Sequence, residues 1–173
     1  MMNDLRERAV LVVAASADDR ALLAGILEPS YRVETADSGA AALALSQTAV
    51  DVLLLDVSLP DMDGLTVLEK LRQSSALHGV PALMLCNENN EDMRHRAYGT
   101  GALGLLFRPF EAELVLRRVD TAYEISQYQV KKWRDELARA SDIDAQTGVW
   151  NRHAFLRGVR RLLDAHPQGR YVL

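Results

Sequence analysis

The run Leu53-Leu54-Leu55-Asp56-Val57-Ser58-Leu59-Pro60-Asp61-Met62-Asp63-Gly64 is the part of this sequence best suited to chemistry. Three leucines predict a strand that delivers a carboxylate, Asp56, to its C-terminal end. Pro60 and Gly64 then shape a loop before the next helix. In open parallel α/β sheets, ligands bind at that edge. A carboxylate presented there can act as a nucleophile and form an aspartyl phosphate; it can equally do no more than cap the loop backbone. If no metal intervenes, a buried carboxylate needs a partner. Other spacings carry less. Gly99 to Gly104 spells G-x-G-x-x-G, but it leaves a helix and enters a strand, the reverse of a dinucleotide fingerprint. Asp61 and Asp63 occupy part of a calcium-loop pattern whose first and last ligand positions would be Leu59 and Lys70. Cys86 has no His near it in sequence and reads as a packed strand residue.

The elements that must position these residues are visible in the patterning. Five apolar runs punctuate the first 110 residues: Ala9–Ala15, Tyr31–Thr35, Val50–Asp56, Val80–Cys86 and Ala102–Phe107. Four are nearly continuous, as strands buried on both faces are, and the second alternates, which suits an edge strand. Helical patterns separate them at Asp19–Leu27, Ser38–Gln47, Leu65–Gln73 and Glu91–Tyr98. Ser38 is a candidate N-cap, and Asn89 or Asn90 caps the fourth helix. Strand and helix alternating in this way predict a parallel sheet with helices on both faces. The expected fold is a flavodoxin-like, doubly wound α/β domain over residues 1–112, with five strands in the order 2-1-3-4-5.

After Pro109 the pattern changes. Residues 111–141 hold no Gly and no Pro. A stripe at Leu116, Val119, Tyr123, Ser126, Val130, Trp133, Leu137 and Ala140 keeps alternating spacings of three and four, the a/d register of a coiled coil. The first turns must pack on the sheet domain, and the rest is too long for it to cover. Residues 113–143 are therefore expected to form an extended helix that pairs two copies of the chain through this seam. Residues 144–173 form a third segment, with a short amphipathic helix from Arg152 to Asp164. The final Tyr171-Val172-Leu173 reads as the opening of a further strand, so the sequence is expected to be a piece of a longer protein.

Composition bounds the function. The chain has 173 residues, 49% apolar and 25% charged, which excludes a wholly disordered or fibrous protein. One cysteine excludes a disulfide framework and a cysteine-based zinc site, and the four histidines show no ligand spacing. No apolar run approaches the roughly 20 residues of a membrane span, and the N-terminus lacks the apolar core of a signal peptide. A cytoplasmic location without membrane insertion is expected. The net charge is −4, with −6 over residues 1–110 and +2 over 111–173. Neither part is basic enough for a nucleic-acid footprint.

Residues 8–112 resemble the response-regulator receiver domain. The family's third-strand motif, an Asp, then Met/Leu-Pro, then Met-Asp-Gly, matches Asp56, Leu59-Pro60 and Met62-Asp63-Gly64. Its Gly-Ala and Lys-Pro-Phe match Gly101-Ala102 and Arg108-Pro109-Phe110. The resemblance implies that Asp56 is a phospho-acceptor, that Ser58, Cys86 and Arg108 neighbour the phosphate, and that Leu105 holds the switch position. It also implies Mg²⁺ at an acidic pair ending the first strand, but Ala14 and Ala15 stand there. Asp56 alone is a poor cage for Mg²⁺. Asp18 and Asp19, one helical turn on, reach back only with a changed loop. Cys86 replaces a hydroxyl residue and is a weak donor, Leu105 replaces an aromatic, and Arg108 replaces a Lys; the resemblance thereby implies Arg108 as the partner of Asp56 if no metal intervenes, its fork fitting a phosphate or Asp56 itself. The metal site therefore reads as degenerate, and no cofactor is required for the fold.

A second segment, Asp144-Ala145-Gln146-Thr147-Gly148-Val149-Trp150-Asn151-Arg152-His153-Ala154-Phe155, is similar to the opening of GGDEF (diguanylate cyclase-type) domains. Asp144, Thr147, Gly148, Asn151 and Arg152 carry the spacing; Gln146 and Val149 replace family leucines. Together the two resemblances imply a signalling protein that dimerises and controls a GGDEF-type output in cyclic di-guanylate signalling. The chain itself is expected not to be an enzyme. Two other readings stay open. One is a working phosphorelay receiver, phosphorylated on Asp56 by a histidine kinase, with an unusual metal site. The other is a protein-interaction scaffold.

Overall fold

A computed structural model of the chain describes residues 8–73, 77–140 and 155–156. The five apolar runs form strands β1 (Ala9–Val13), β2 (Arg32–Ala36), β3 (Val52–Asp56), β4 (Ala82–Cys86) and β5 (Gly104–Phe107). All pair in parallel in the order β2-β1-β3-β4-β5. β1, β3 and β4 are buried along their whole length, and β2, at one edge, is exposed or half-buried up to its last residue, Ala36, which is buried. This is the flavodoxin-like order expected from the alternation of elements.

Helices α1 (Ala17–Leu27), α2 (Gly39–Ala44), α3 (Gly64–Gln73), α4 (Glu91–Gly99) and α5 (Ala112–Ala140) connect or follow the strands. Side chains alternate across each strand, so successive residues enter different cores. Leu11, Val13, Leu53, Leu55 and Met84 pack with Leu65, Leu68 and Ala97 of α3 and α4. Val10, Val12, Leu54, Leu83 and Leu85 pack with Leu23 and Leu27 of α1 and with Val115, Val119 and Ala122 of α5. Local chemistry sets the helix starts. Oγ of Ser16 accepts from the Asp19 amide, Oγ of Ser38 from the Ala41 amide and Oδ1 of Asn90 from the Met93 amide. Of the two cap candidates at α4, Asn90 is thus the one in place. α2 stops at Ala44, three residues before Gln47, because the Leu45 amide turns back onto carbonyls 41–43.

The chain divides into two compact units, Met1–Gln129 and Val130–Leu173. The division falls within α5. Within the first unit, Val115, Val119, Ala122 and Ser126 form the buried stripe of this helix, and Leu116 and Tyr123 pack beside it. This corrects the seam expected at Leu116, Val119, Tyr123 and Ser126: Val119 and Ser126 are buried within one chain and are not free to meet another. Polar contacts fasten the same turns. Tyr31 Oη donates to Asp120 Oδ1, and the Tyr31 ring meets that of Tyr123 edge-on at 6.0 Å. Gln127 Nε2 donates to Asp51 Oδ1 at 3.1 Å, while Asp51 Oδ2 accepts from the Ala9 amide at 2.8 Å.

In the second unit, Val130 and Trp133 are exposed. α5 continues to Ala140, which takes in seam positions Leu137 and Ala140. Asp144, Thr147, Gly148, Asn151 and Arg152 lie outside the described residues. Among the described residues, no helix is long and apolar enough to cross a membrane.

Candidate functional site

Strand β3 carries Asp56 to the C-terminal edge of the sheet, between β1 and β4. The register pairs Val13 with Leu55 and Asp56 with Leu85, so Ala14 and Asp56 leave neighbouring strands side by side. The loop that follows is drawn tightly under the strand end. Ser58 and Asp63 form an antiparallel bridge, and the Gly64 amide donates to the Val57 carbonyl at 2.8 Å. A Cβ on Gly64 would stand 1.9 Å from the Asp56 carbonyl oxygen, which is why glycine occupies this position. Asp61 and Asp63, the fragment of a calcium-loop pattern, work as caps. Asp61 accepts from the Gly39 and Ala40 amides at 2.8 Å each, and these bonds hold its carboxyl below the usual range. Asp63 accepts from the Leu65 amide at 2.8 Å and pairs with Arg96 at 3.0 Å.

Asp56 is 5% exposed, and both of its oxygens are engaged. Oδ1 accepts from the Ser58 amide at 3.0 Å, and Oδ2 pairs with Nη2 of Arg108. The expected Asp56–Arg108 ion pair therefore forms. The guanidinium does more than that. Its Nε donates to Asp19 Oδ2 at 2.8 Å and its Nη1 to Asn87 Oδ1 at 3.1 Å, while its carbon lies 5.1 Å above the Phe110 ring. Burial alone would lower the pKa of Arg108. The hydrogen bond with Asp19 and the charge of Asp56 outweigh burial and raise it, so the group stays cationic.

Of the two acids beyond the first strand, Asp19 reaches the site and Asp18 stays exposed. Cys86 is buried, and burial first, then the Asp56 charge, pushes its thiol up to about 11. Its neighbour Arg108 is brought in where the Arg108 amide donates to the Cys86 carbonyl at 3.0 Å. Leu105 is buried in the core. A cleft of about 200 Å³ opens beside Asp56, lined by Ser58, Cys86, Asn87, Asn90 and Met93 among others.

Sequence reasoning missed two members of this site. Asn87 follows β4 directly and offers only its position as a signal. Arg20 Nη1 donates to the carbonyls of Ala14 at 2.6 Å and Ala15 at 2.8 Å. The signal for Arg20 was a base in the first turns of a helix, where the macrodipole favours acids.

Receivers hold Mg²⁺ at an acidic site, and Mg²⁺ asks for oxygen ligands in near-octahedral array. The residues here do not fit it. The two carboxylates at hand are bridged by one guanidinium, and the strand-end carbonyls are capped by another. Among the described residues, no group of three His, Cys, Asp or Glu side chains is placed to hold a metal ion.

The chain matches the response regulator receiver domain over residues 10–120. It is 30% identical over 142 residues to a probable cyclic di-GMP phosphodiesterase of Vibrio cholerae serotype O1. That match covers 82% of this chain and 31% of the relative, so the chain spans about a third of that protein's length. It is 36% identical over 111 residues to the two-component response regulator ORR5 of Oryza sativa subsp. japonica, covering 62% of this chain and 83% of that one. Among solved structures, the chemotaxis protein CheY4 of Vibrio cholerae superposes with a TM-score of 0.64 at 33% identity, over 66% of this chain and 98% of that one.

Proposed function

The chain belongs to the response regulator receiver family, and on that premise we propose that it is the regulatory portion of a dimeric cyclic di-guanylate signalling protein with a GGDEF-type output. Receivers of this family work in two-component signalling with histidine kinases and other signalling proteins. The observation that carries the finer reading is the state of the two site carboxylates: Asp56 and Asp19 are both already paired with Arg108. Phosphoryl transfer depends on positioning and on cations that neutralise the incoming charge. With its cation already shared between two acids, Asp56 is a poor acceptor, although it stands in the acceptor's place.

Regulation then falls to association. Val130, Trp133, Leu137 and Ala140 continue the seven-residue repeat, and Val130 and Trp133 are exposed. Pairing two copies along this stripe would set the register in which two output domains meet. Arg108 lies four residues before α5 begins at Ala112, so a change at Asp56 or at a bound partner is felt at the root of the helix. Two features support a cyclic di-guanylate output. One is the Asp144–Arg152 motif. The other is the match to the Vibrio relative, whose 142 residues run on along α5 and whose name places that protein in cyclic di-GMP hydrolysis. Either a cyclase-type or a phosphodiesterase output fits this route.

A second reading, a working phosphorelay receiver with a displaced metal ligand, is favoured by one fact: the Asp19 carboxylate does reach the site. Intact-mass measurement after incubation with acetyl phosphate, with and without Mg²⁺ and beside Asp56→Ala, separates the two. No gain is the outcome expected. A gain that needs both Mg²⁺ and Asp56 establishes the second reading. Sedimentation of the chain and of Trp133→Glu tests the seam: the parent should be dimeric and the variant monomeric. A variant that stays dimeric removes the seam, and a parent that is monomeric throughout leaves a protein-interaction scaffold as the better account.

A further inference from the structure

We infer that Arg108, at the position of the family's Lys, is the resident cation of this site and alone does the neutralising that a metal would share, and that Arg20 closes the coordination the backbone would otherwise offer. The inference rests on the receiver reading above and names how that site is regulated.

The argument is one of charge and lone pairs. Ala14 and Asp56 end adjacent parallel strands, so the space beyond them is where acids from two strands would share a divalent ion. Here the first strand supplies no acid. The carboxylate that enters instead comes from α1, as Asp19, and what it meets is a guanidinium: Oδ2 lies 2.8 Å from both Nε and Nη2 of Arg108. Asp56 meets the same Nη2. Nη1 is satisfied by Asn87. The fork is thus held by two carboxylates and an amide, and the flat face of the guanidinium rests over Phe110. Each of these contacts fixes the group in place of a mobile hydrated ion.

The Arg108 side chain is 22% exposed, those of Asp19 and Asp56 are 20% and 7% exposed, and the cluster carries a net charge of −1 from two acids and one base. Two acids this close and this covered would repel each other without a cation between them. The carbonyls of Ala14 and Ala15 are further oxygen donors at the strand end, and one Arg20 nitrogen holds both. A divalent ion entering would have to displace two guanidiniums at once. With Ala14 and Ala15 in place of the acidic pair, the guanidinium at the family's Lys position is left as the cation that neutralises Asp19 and Asp56.

The prediction is an inverted metal response. Thermal unfolding of the whole chain is followed with and without millimolar Mn²⁺ as the probe ion. The parent's Tm is expected not to move. Arg108→Gln leaves Asp19 and Asp56 unpaired, so its Tm should fall, and Mn²⁺ should raise it again. The rise is expected to be roughly 3–6 °C at about ten times the dissociation constant. Adding Asp19→Asn to Arg108→Gln should abolish the rescue.

A saturable Mn²⁺-dependent rise in the parent that Asp56→Asn removes would overturn the inference, since the ion would then displace Arg108. So would an Arg108→Gln variant that is folded and indifferent to Mn²⁺. Should that variant not fold, Arg108→Lys takes its place. Its compact ammonium keeps the charge but cannot reach both acids and Asn87 together, and a smaller Mn²⁺ rescue is expected; none at all overturns the inference. Oligomeric state and labelling by acetyl phosphate are not read in this experiment. Its failure therefore leaves the signalling reading standing, and a monomeric parent would leave this inference untouched.

Discussion

The carboxyl edge of the sheet and the later turns of α5 are both marked by distinctive sequence, yet they differ in how far one chain completes them. At the edge, Asp56, Asp19, Arg108 and Arg20 all find partners within the same chain. Along α5 after Gln127, Tyr128, Val130 and Trp133 are 70%, 49% and 67% exposed, although Tyr128 and Trp133 are among the largest side chains of the helix. The earlier turns of the same helix, from Val115 to Ser126, bury their stripe on the sheet. A charged constellation can close on itself, because each ion pair satisfies both members. An apolar stripe cannot, because it is satisfied only by a second surface. The site is thus an intrachain device, and the late helix is where the interchain one is proposed.

The sharpest way to break this contrast is to exchange its terms. Val119→Asp places an unpaired carboxylate in the receiver core and should cost about 3–5 kcal/mol of stability, read from urea unfolding. A loss under about 1 kcal/mol would mean that these turns are not core and that the seam begins earlier. The closed edge is probed next by chemistry. With its thiol raised from its ordinary 9 to about 11, Cys86 should react with iodoacetamide about a hundredfold more slowly than a small exposed thiol at mildly alkaline pH. Alkylation at the rate of a free thiol would show the edge to be open.

Gly64→Ala tests the same edge by bulk. A Cβ pressed on the Asp56 carbonyl forces the loop to shift, and a loss of about 1–3 kcal/mol is expected in denaturant titration. The smallest effect is reserved for the helix. Trp133→Glu should change the stability of the monomer by less than about 0.5 kcal/mol, measured at concentrations too low for association, because its side chain is exposed. A large loss there would give Trp133 an intrachain partner and erase the contrast.

Much of this was legible in the residues. Near-continuous apolar runs announce buried parallel strands, so the sheet and its order could be read. Asp56 was legible as the carboxylate at the end of such a run and its need of a partner from the cost of leaving it alone, while Arg108 as that partner came from the resemblance at Arg108-Pro109-Phe110. The choice between Asp18 and Asp19 was not legible. Adjacent residues on a helix point about 100° apart, and only the start of α1 after the Ser16 cap decides which one faces Arg108. The early seam misled for a related reason. Leu116 and Tyr123 flank Val115 and Ala122 on one face, so a seven-residue repeat describes both a helix lying on a sheet and a helix lying on its twin. Period reports that a face is covered; it does not report by what.

Asp51 holds the Ala9 amide with one oxygen and Gln127 of α5 with the other. A single backbone proton at the start of β1 is thereby tied, through one carboxylate, to the turn of the helix that lies just before the boundary between the two units. In a nitrogen-15 spectrum the Ala9 resonance becomes a gauge of helix attachment that needs no label on the helix itself. Its shift should move in Gln127→Leu, and in any state of the protein that lifts α5 from the sheet.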